Sequence, residues 1–141
     1  MPLHVPNPSE GKLLEFMLGV ATPGNQQLCL FTNNITHADD DILADYTEMG
    51  AVQGYVRKTL TKTSWVVTPT AAAGAGAATG AYAEQTFAFD GTGGTVIVYG
   101  YFVIDVTTGL LLWGEKFSSS KTVANNGDLI KITPQFTLSK V

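Results

Sequence analysis

The residues of this chain whose types allow chemistry are few and scattered. A nucleophilic triad needs a hydroxyl or thiol beside a base and an orienting acid. The two histidines are His4, in a proline-rich opening, and His37, in a polar stretch, and neither lies in a nucleophile motif. Zinc needs three or four Cys, His or acidic ligands at set spacing, which Cys29 and two distant histidines do not give. Asp39-Asp40-Asp41 with Asp45 and Glu48 is the densest acidic cluster, and hard cations such as Ca²⁺ do take several carboxylates from one loop. The spacing and glycine of an EF-hand loop are missing, so a solvated loop is the expectation. Gly91, Gly93 and Gly94 precede a strand-like run rather than a helix, which makes them turn residues and not a phosphate cradle. Paired-carboxylate hydrolysis would have to draw on Glu84, Asp90, Asp105 and Glu115. Trp65, Tyr99, Tyr101 and Trp113 have the chemistry to stack on sugar rings, against the plainer reading as core or cross-strand aromatics. The expectation is a non-enzyme with no catalytic residue, no metal ligand and no cofactor.

Composition narrows the partners. Charged residues make up 14% of the 141 positions and apolar ones 45%, so the surface is sparsely charged for a soluble domain and suits contact with another protein. The net charge is −4, and the eight Lys and Arg residues form no basic stripe, which argues against direct nucleic-acid binding. Cys29 lies in Gln27-Leu28-Cys29-Leu30-Phe31, where a thiol behaves as a small buried hydrophobe. No apolar run reaches the ~18 to 20 residues that span a bilayer, and the opening residues have no secretory pattern. No membrane association is expected, and synthesis is expected in the cytoplasm.

The elements that must position these residues read mainly as strands. Met1-Pro2-Leu3-His4-Val5-Pro6-Asn7-Pro8 carries three prolines, which favours an extended arm over 1–8 that can reach a neighbour. Ser9 fits an N-cap and Gly19 a C-cap, with Leu13, Phe16 and Met17 on one face, predicting a short helix over 9–18 that plugs the end of a β structure. Strands are predicted over 26–33, 52–60, 63–68 and 82–89. A long polar surface loop separates the first two, and the alanine–glycine run at 70–80 reads as a flexible hairpin loop. From Thr95 onward the β-branched and aromatic run 95–105, the break Thr107-Thr108-Gly109 and the return 110–117 predict a hairpin. With 129–132 and 135–138, set off by Ser118-Ser119-Ser120 and Asn125-Asn126-Gly127-Asp128, this region reads as a β-meander. The fold expected is all-β: an antiparallel β-sandwich, jelly-roll or immunoglobulin-like, as a single domain over 9–141, with a closed barrel as the alternative.

Val5-Pro6-Asn7, Glu10-Gly11-Lys12-Leu13-Leu14 and Leu28-Cys29-Leu30-Phe31-Thr32-Asn33-Asn34 open a pattern that continues through Tyr55, Lys58-Thr59-Leu60, Ser64-Trp65 and Gln85-Thr86-Phe87. It ends in Gly100-Tyr101-Phe102-Val103, Leu112-Trp113-Gly114-Glu115-Lys116-Phe117 and Asn126-Gly127-Asp128. In that order these segments resemble a group of small tailed-bacteriophage virion proteins, across nearly the whole chain. The resemblance implies a capsid decoration, or cement, protein on the outer surface of the virion head. Its partners would be the major capsid protein and itself, as a homotrimer. A tail or head-fibre component that binds host-surface glycans is the alternative. Leu3, Val5 and Pro6 of the arm and Phe136 near the last strand are the residues expected at the interface.

Overall fold

The computed structural model describes residues 5–68 and 77–139. It is mostly β, with several antiparallel sheets and one α-helix, α1 (Asn7–Met17). The strands are β1 (Gln26–Phe31), β2 (Lys58–Leu60), β3 (Val66–Thr68), β4 (Ala77–Ala81), β5 (Gln85–Asp90), β6 (Val96–Asp105), β7 (Leu111–Val123), β8 (Asn126–Ile132) and β9 (Gln135–Ser139). They form a four-stranded sheet β2-β1-β6-β7, a three-stranded sheet β3-β4-β9 and a pair β5-β8. No helix among the described residues is long and apolar enough to cross a membrane.

The helix begins two residues earlier than the Ser9 cap predicts. Buried Pro6 is extended, and its carbonyl accepts the N–H groups of Ser9 and Glu10. Pro8 needs no donor partner in the first turn, and the Asn7 N–H is taken by the Asp39 carbonyl at 2.7 Å. Ser9 is therefore inside the helix and fully buried, its hydroxyl donating to the Leu111 carbonyl and tying α1 to β7. The other end stops as expected: Gly19 has φ 69°, its N–H reaches the Phe16 carbonyl, and Val20 N–H reaches Glu15, a Schellman pairing. The extended arm thus gives way to helix at Asn7, and its Leu3 lies outside the described residues.

The four-stranded sheet is buried on both faces, which is why β6 reads as a continuous apolar run and not as an alternation. One face presents Leu28, Leu30, Tyr101 and Val103 to Phe87 and Phe89 of β5 and to Ile130 and Ile132 of β8. The other presents Cys29, Phe31, Phe102 and Ile104, and Tyr46 packs on it. Tyr46 comes from the polar segment predicted to be a surface loop. That segment instead contributes two buried apolar side chains, Tyr46 and Met49, as well as buried Asp41 and a bridge from Glu48 to Phe31. Isolated anchors such as Tyr46 and Met49 have no period, so no core signal is legible there.

Three further expectations change. The strand over 52–60 is only β2, because Gln53 (φ 57°) and Gly54 (φ 69°) turn the chain. Buried Gln53 then staples the glycine turn: its N–H bonds Thr92 O at 2.8 Å, its carbonyl accepts Asp90 N–H at 3.1 Å, and its amide reaches Gly94 O. The run 63–68 is a 3-10 turn (Lys62–Ser64) followed by β3. The hairpin loop assigned to 70–80 ends earlier, since Ala77 already starts β4; its residues 70–76 lie outside the described residues.

The meander holds only for the β6–β7 hairpin. Ser118, Ser119 and Ser120 lie within β7, in a bulge where residues 117–120 oppose Tyr99 alone: Lys116 pairs with Gly100 and Lys121 with Val98. After the turn at Gly127 (φ 92°), β8 pairs with β5 and β9 with β4, so the last two strands join other sheets.

Candidate functional site

An open apolar surface, a groove, lies between α1 and the three-stranded sheet. Across that sheet the register sets Val67 opposite Gly80 and Gly80 opposite Phe136, one row with a missing side chain at its centre. A Cβ at Gly80 would meet nothing nearer than the Phe136 carbonyl at 3.9 Å, so the row contains a notch. Leu13 of α1, Trp65, Trp113 and Gln26 complete a cavity of about 210 Å³ around it. Leu13 and Phe136 also line a second cavity, of about 370 Å³, with Val5, Glu10, Leu14 and Met17. The two cavities therefore share Leu13 and Phe136 in their walls.

The aromatic wall is held rigidly. The Trp65 indole N–H donates to Gln26 Oε1 at 2.8 Å, and its ring meets Trp113 edge-on at 5.9 Å and Tyr82 at 5.3 Å. Trp113 in turn lies 5.4 Å from the Phe136 ring. Tyr82 accepts the Thr61 N–H at 3.1 Å, a backbone bond that lowers its pKa from the usual phenol range. The Trp113 indole N–H is buried with no hydrogen-bond partner among the described residues. Much of this lining is exposed, Leu14 at 54%, Met17 at 76% and Val67 on β3 at 69%, and Leu18 beside the cavities is 69% exposed. The exposed apolar side chains of α1 thus lie mainly along the groove.

The interface residues expected from sequence fall partly together. Val5 and Phe136, distant in the chain, line the same cavity. Pro6 is buried as the lead-in to α1 and offers no exposed ring. Leu3 lies outside the described residues. The groove residues that sequence reasoning passed over are Gly80, Leu13 and Val67. Gly80 sat in what read as a loop, and only knowledge of the β3-β4-β9 pairing brings it to the centre of a row.

The other chemical groups serve local structure. In the acidic segment Asp39 and Asp40 are exposed. Asp41 is buried, 3.3 Å from His37 Nδ1 and 3.4 Å from the Tyr46 hydroxyl, which itself lies 2.9 Å from His37 Nδ1. Burial, then the charge of Asp41, pushes the Tyr46 phenol up. Asp45 caps Ile42 N–H at 2.7 Å. Glu48 accepts from Arg57 at 2.7 and 2.8 Å and from the Tyr55 hydroxyl at 2.9 Å. Burial pushes the Glu48 carboxyl up, but the Arg57 and Tyr55 hydrogen bonds outweigh it and leave the pKa below its usual value. Among the described residues no group of three or more His, Cys, Asp or Glu is arranged to hold a metal.

Of the four carboxylates weighed for hydrolysis, Glu84 is exposed and 3.5 Å from Lys131. Asp90 holds Thr92 at the glycine turn, Asp105 caps Thr108 in the β6–β7 turn, and Glu115 accepts from Tyr101 at 2.6 Å. The aromatic set does not make one sugar platform: Tyr101 and Trp113 are buried, and Tyr99 packs with the cluster on the opposite face of the sheet. Burial, then the charge of Glu48, pushes the Cys29 thiol up to about 12, which makes it a poor nucleophile at neutral pH. No protein-family model matches the chain, and no curated protein sequence matches it.

Proposed function

We propose that this chain is a bacteriophage virion structural protein, a capsid decoration protein that binds the outer surface of the head shell and stabilises it. The observation that carries the reading is the open groove between α1 and β3-β4-β9, with exposed Leu14 and Met17 in its lining and exposed Leu18 beside it. A chain with this much unpartnered apolar surface and few charges gains by packing against another protein. The resemblance of its framework segments to small phage virion proteins supplies the kind of partner: the major capsid protein, with self-association into a homotrimer. The finer fold we read as a β-sandwich, the four-stranded sheet facing β5-β8 across the larger core.

Decoration stabilises a shell by linkage. A protein that binds the assembled surface but not separated subunits shifts the equilibrium toward assembly, and many repeated contacts add through avidity. No chemical step is involved. The groove and its Val5 and Phe136 are the surface assigned to this contact.

Mixing the purified protein with undecorated capsids, counting bound copies by sedimentation and imaging the complex by electron microscopy tests the reading. Saturable density on the head is the expected result. Density only at the tail, or binding to bacterial surface glycans without binding to heads, would replace it with the fibre reading.

A further inference from the structure

The turn that leads into β8 carries a peptide unit able to react with its own neighbour, and this chemistry is independent of what the groove contacts. In an asparagine followed by glycine, the glycine nitrogen can attack the side-chain carbonyl carbon, because no side chain crowds the approach. Asn126-Gly127 is the one Asn-Gly pair of the chain, and Asp90-Gly91 is its one Asp-Gly pair. The register sets Asp90 opposite Asn126, yet the fold treats the two pairs differently. Asp90 is held: its carboxylate accepts from the Thr92 hydroxyl at 2.6 Å and from the Thr92 N–H at 2.9 Å, and these bonds keep its pKa below the usual carboxylate range. An ionised carboxylate resists attack by nitrogen. Gly91 is also hemmed in, since a Cβ there would lie 2.6 Å from the Asn126 nitrogen.

Asn126 is open. Its side chain is exposed and makes no hydrogen bond among the described residues. Gly127 is exposed at φ 92°, and a Cβ on it would meet nothing within 4 Å, so its peptide unit has space to rotate toward the side chain. The bond that closes the turn runs from the Asp128 N–H to the Asn125 carbonyl at 3.2 Å and leaves the Gly127 nitrogen outside it. The other asparagines lack this arrangement. Asn7 precedes a proline, which has no N–H, and Asn25, Asn33 and Asn34 precede larger residues and spend their side chains on hydrogen bonds.

We propose that Asn126 is a site of spontaneous deamidation in the folded protein. The Gly127 nitrogen bonds to Cγ of Asn126, the Cγ–Nδ2 bond breaks, and the side-chain nitrogen leaves as ammonia with the proton from Gly127, closing a succinimide ring. Water is the only co-reactant. It opens the ring by cleaving nitrogen from Cγ, which leaves isoaspartate's alternative, a normal aspartate, or by cleaving it from the backbone carbonyl carbon, which leaves isoaspartate. Either product sets a new carboxylate opposite Asp90, a like-charge cross-strand pair. Isoaspartate also lengthens the backbone at the start of β8, ahead of the core residues Ile130 and Ile132.

The test holds folded protein, urea-unfolded protein and a synthetic peptide of residues 122–131 side by side in mildly alkaline buffer. Tryptic fragments are followed by mass spectrometry, and isoaspartate is marked with its methyltransferase. In the folded protein, conversion at position 126 should run within roughly threefold of the peptide rate, because no opening of the fold has to come first. Isoaspartate at position 90 should form only in the unfolded sample. Asn126→Ser should abolish the acidic species that ion exchange separates from aged protein, and Asn126→Asp should co-elute with the aspartate product. The purified isoaspartate form should unfold at a lower urea concentration than Asn126→Asp. Conversion about tenfold or more slower in the folded protein than in the peptide would overturn the site, since the turn would then guard it. Earlier conversion at another asparagine, or equal conversion at Asp90 in the folded protein, would overturn it too. An isoaspartate form with the urea midpoint of Asn126→Asp would overturn the effect on β8.

Discussion

Two places in this molecule omit a side chain opposite an aromatic wall, and they are used in opposite ways. On one face of the four-stranded sheet, Gly100 and Gly114 are filled from within the chain. A Cβ at Gly100 would lie 2.6 Å from the Phe31 ring and 2.2 Å from the Glu115 carbonyl, and one at Gly114 would lie 2.5 Å from the Tyr46 hydroxyl. Phe31, Tyr46 and Phe102 then interlock at 5.2 Å centroid spacings, and residues 32–49 close over them. At the groove, Gly80 lies beside Trp65, Trp113 and Phe136, and a Cβ there would meet nothing closer than 3.9 Å. A glycine whose space is filled from within serves stability. One whose space stays open beside exposed apolar residues serves a partner.

Substitution at these glycines breaks the comparison most directly if it is wrong. Gly100→Ala must push against backbone, the Glu115 carbonyl, as well as a packed ring, and should destabilise by about 3 kcal/mol or more, read as a lower urea midpoint. Gly114→Ala meets only the Tyr46 side chain, which can give at the expense of its place over Phe31, and should cost about 1 to 3 kcal/mol. If either variant were as stable as wild type, the closed face would not be closely packed.

The cover over the filled face also depends on an ion pair at its edge. Glu48, with its pKa held down chiefly by Arg57 and Tyr55, lies where the segment rejoins β1 through the Phe31 bridge. Glu48→Gln should cost on the order of 1 to 2 kcal/mol at neutral pH, since a charged hydrogen-bonding partner is lost. The folded state binds the proton less readily than the unfolded one. The contribution of Glu48 is therefore fully present above its unfolded pKa of about 4.3 and is lost as pH falls through the lower folded value. Denaturation curves of wild type and Glu48→Gln should converge on acidification through that window. A gap that stayed constant down to the acid transition would mean that Glu48 acts through packing and not through charge.

How far the sequence went follows from the same contrast. The β6–β7 hairpin was legible because a β-branched run, a turn at Gly109 and a return are adjacent in the chain. The glycine turn at 91–94 was legible because φ of 77°, 89° and 86° at Gly91, Gly93 and Gly94 is what glycine permits. Cys29, read as a buried thiol, is fully buried. Partner choice was not legible: nothing in Leu129-Ile130-Lys131-Ile132 says that its neighbour is β5 and not β7, and the turn after Val123 allows both. The cover was missed because Tyr46 and Met49 are single anchors in polar surroundings. Of the candidate site, Val5 and Phe136 were named but not the groove that joins them. Its notch comes from Gly80 in a low-complexity run with no strand signature apart from Thr79.

The groove itself should be nearly silent in stability. Gly80→Ala places a methyl group at ordinary contact distance, 3.9 Å from the Phe136 carbonyl and 4.0 Å from the Val67 side chain, and should leave stability unchanged or raise it by up to about 1 kcal/mol, because alanine loses less backbone entropy on folding. Placed beside Gly100→Ala, it is the same chemical change with the opposite sign. A loss of more than 1 kcal/mol would mean that the notch is filled by the chain itself, and the distinction between the two glycine sites would fail.

The smallest stability effect is expected at the exposed C-terminal end of α1. Met17→Ser and Leu18→Ser replace side chains that are 76% and 69% exposed, so folding loses little buried area and the urea midpoint should move by no more than about 0.5 kcal/mol equivalent. Their cost should appear only when a partner is present, as fewer copies retained on undecorated capsids. The pairing of the two measurements carries the argument. A residue that matters for folding lowers both stability and binding, whereas a residue kept apolar for a partner lowers binding alone. If Met17→Ser and Leu18→Ser left both unchanged, the C-terminal end of α1 would have no part in the contact, and the contact would have to be made by the part of the groove between Phe136 and Val67.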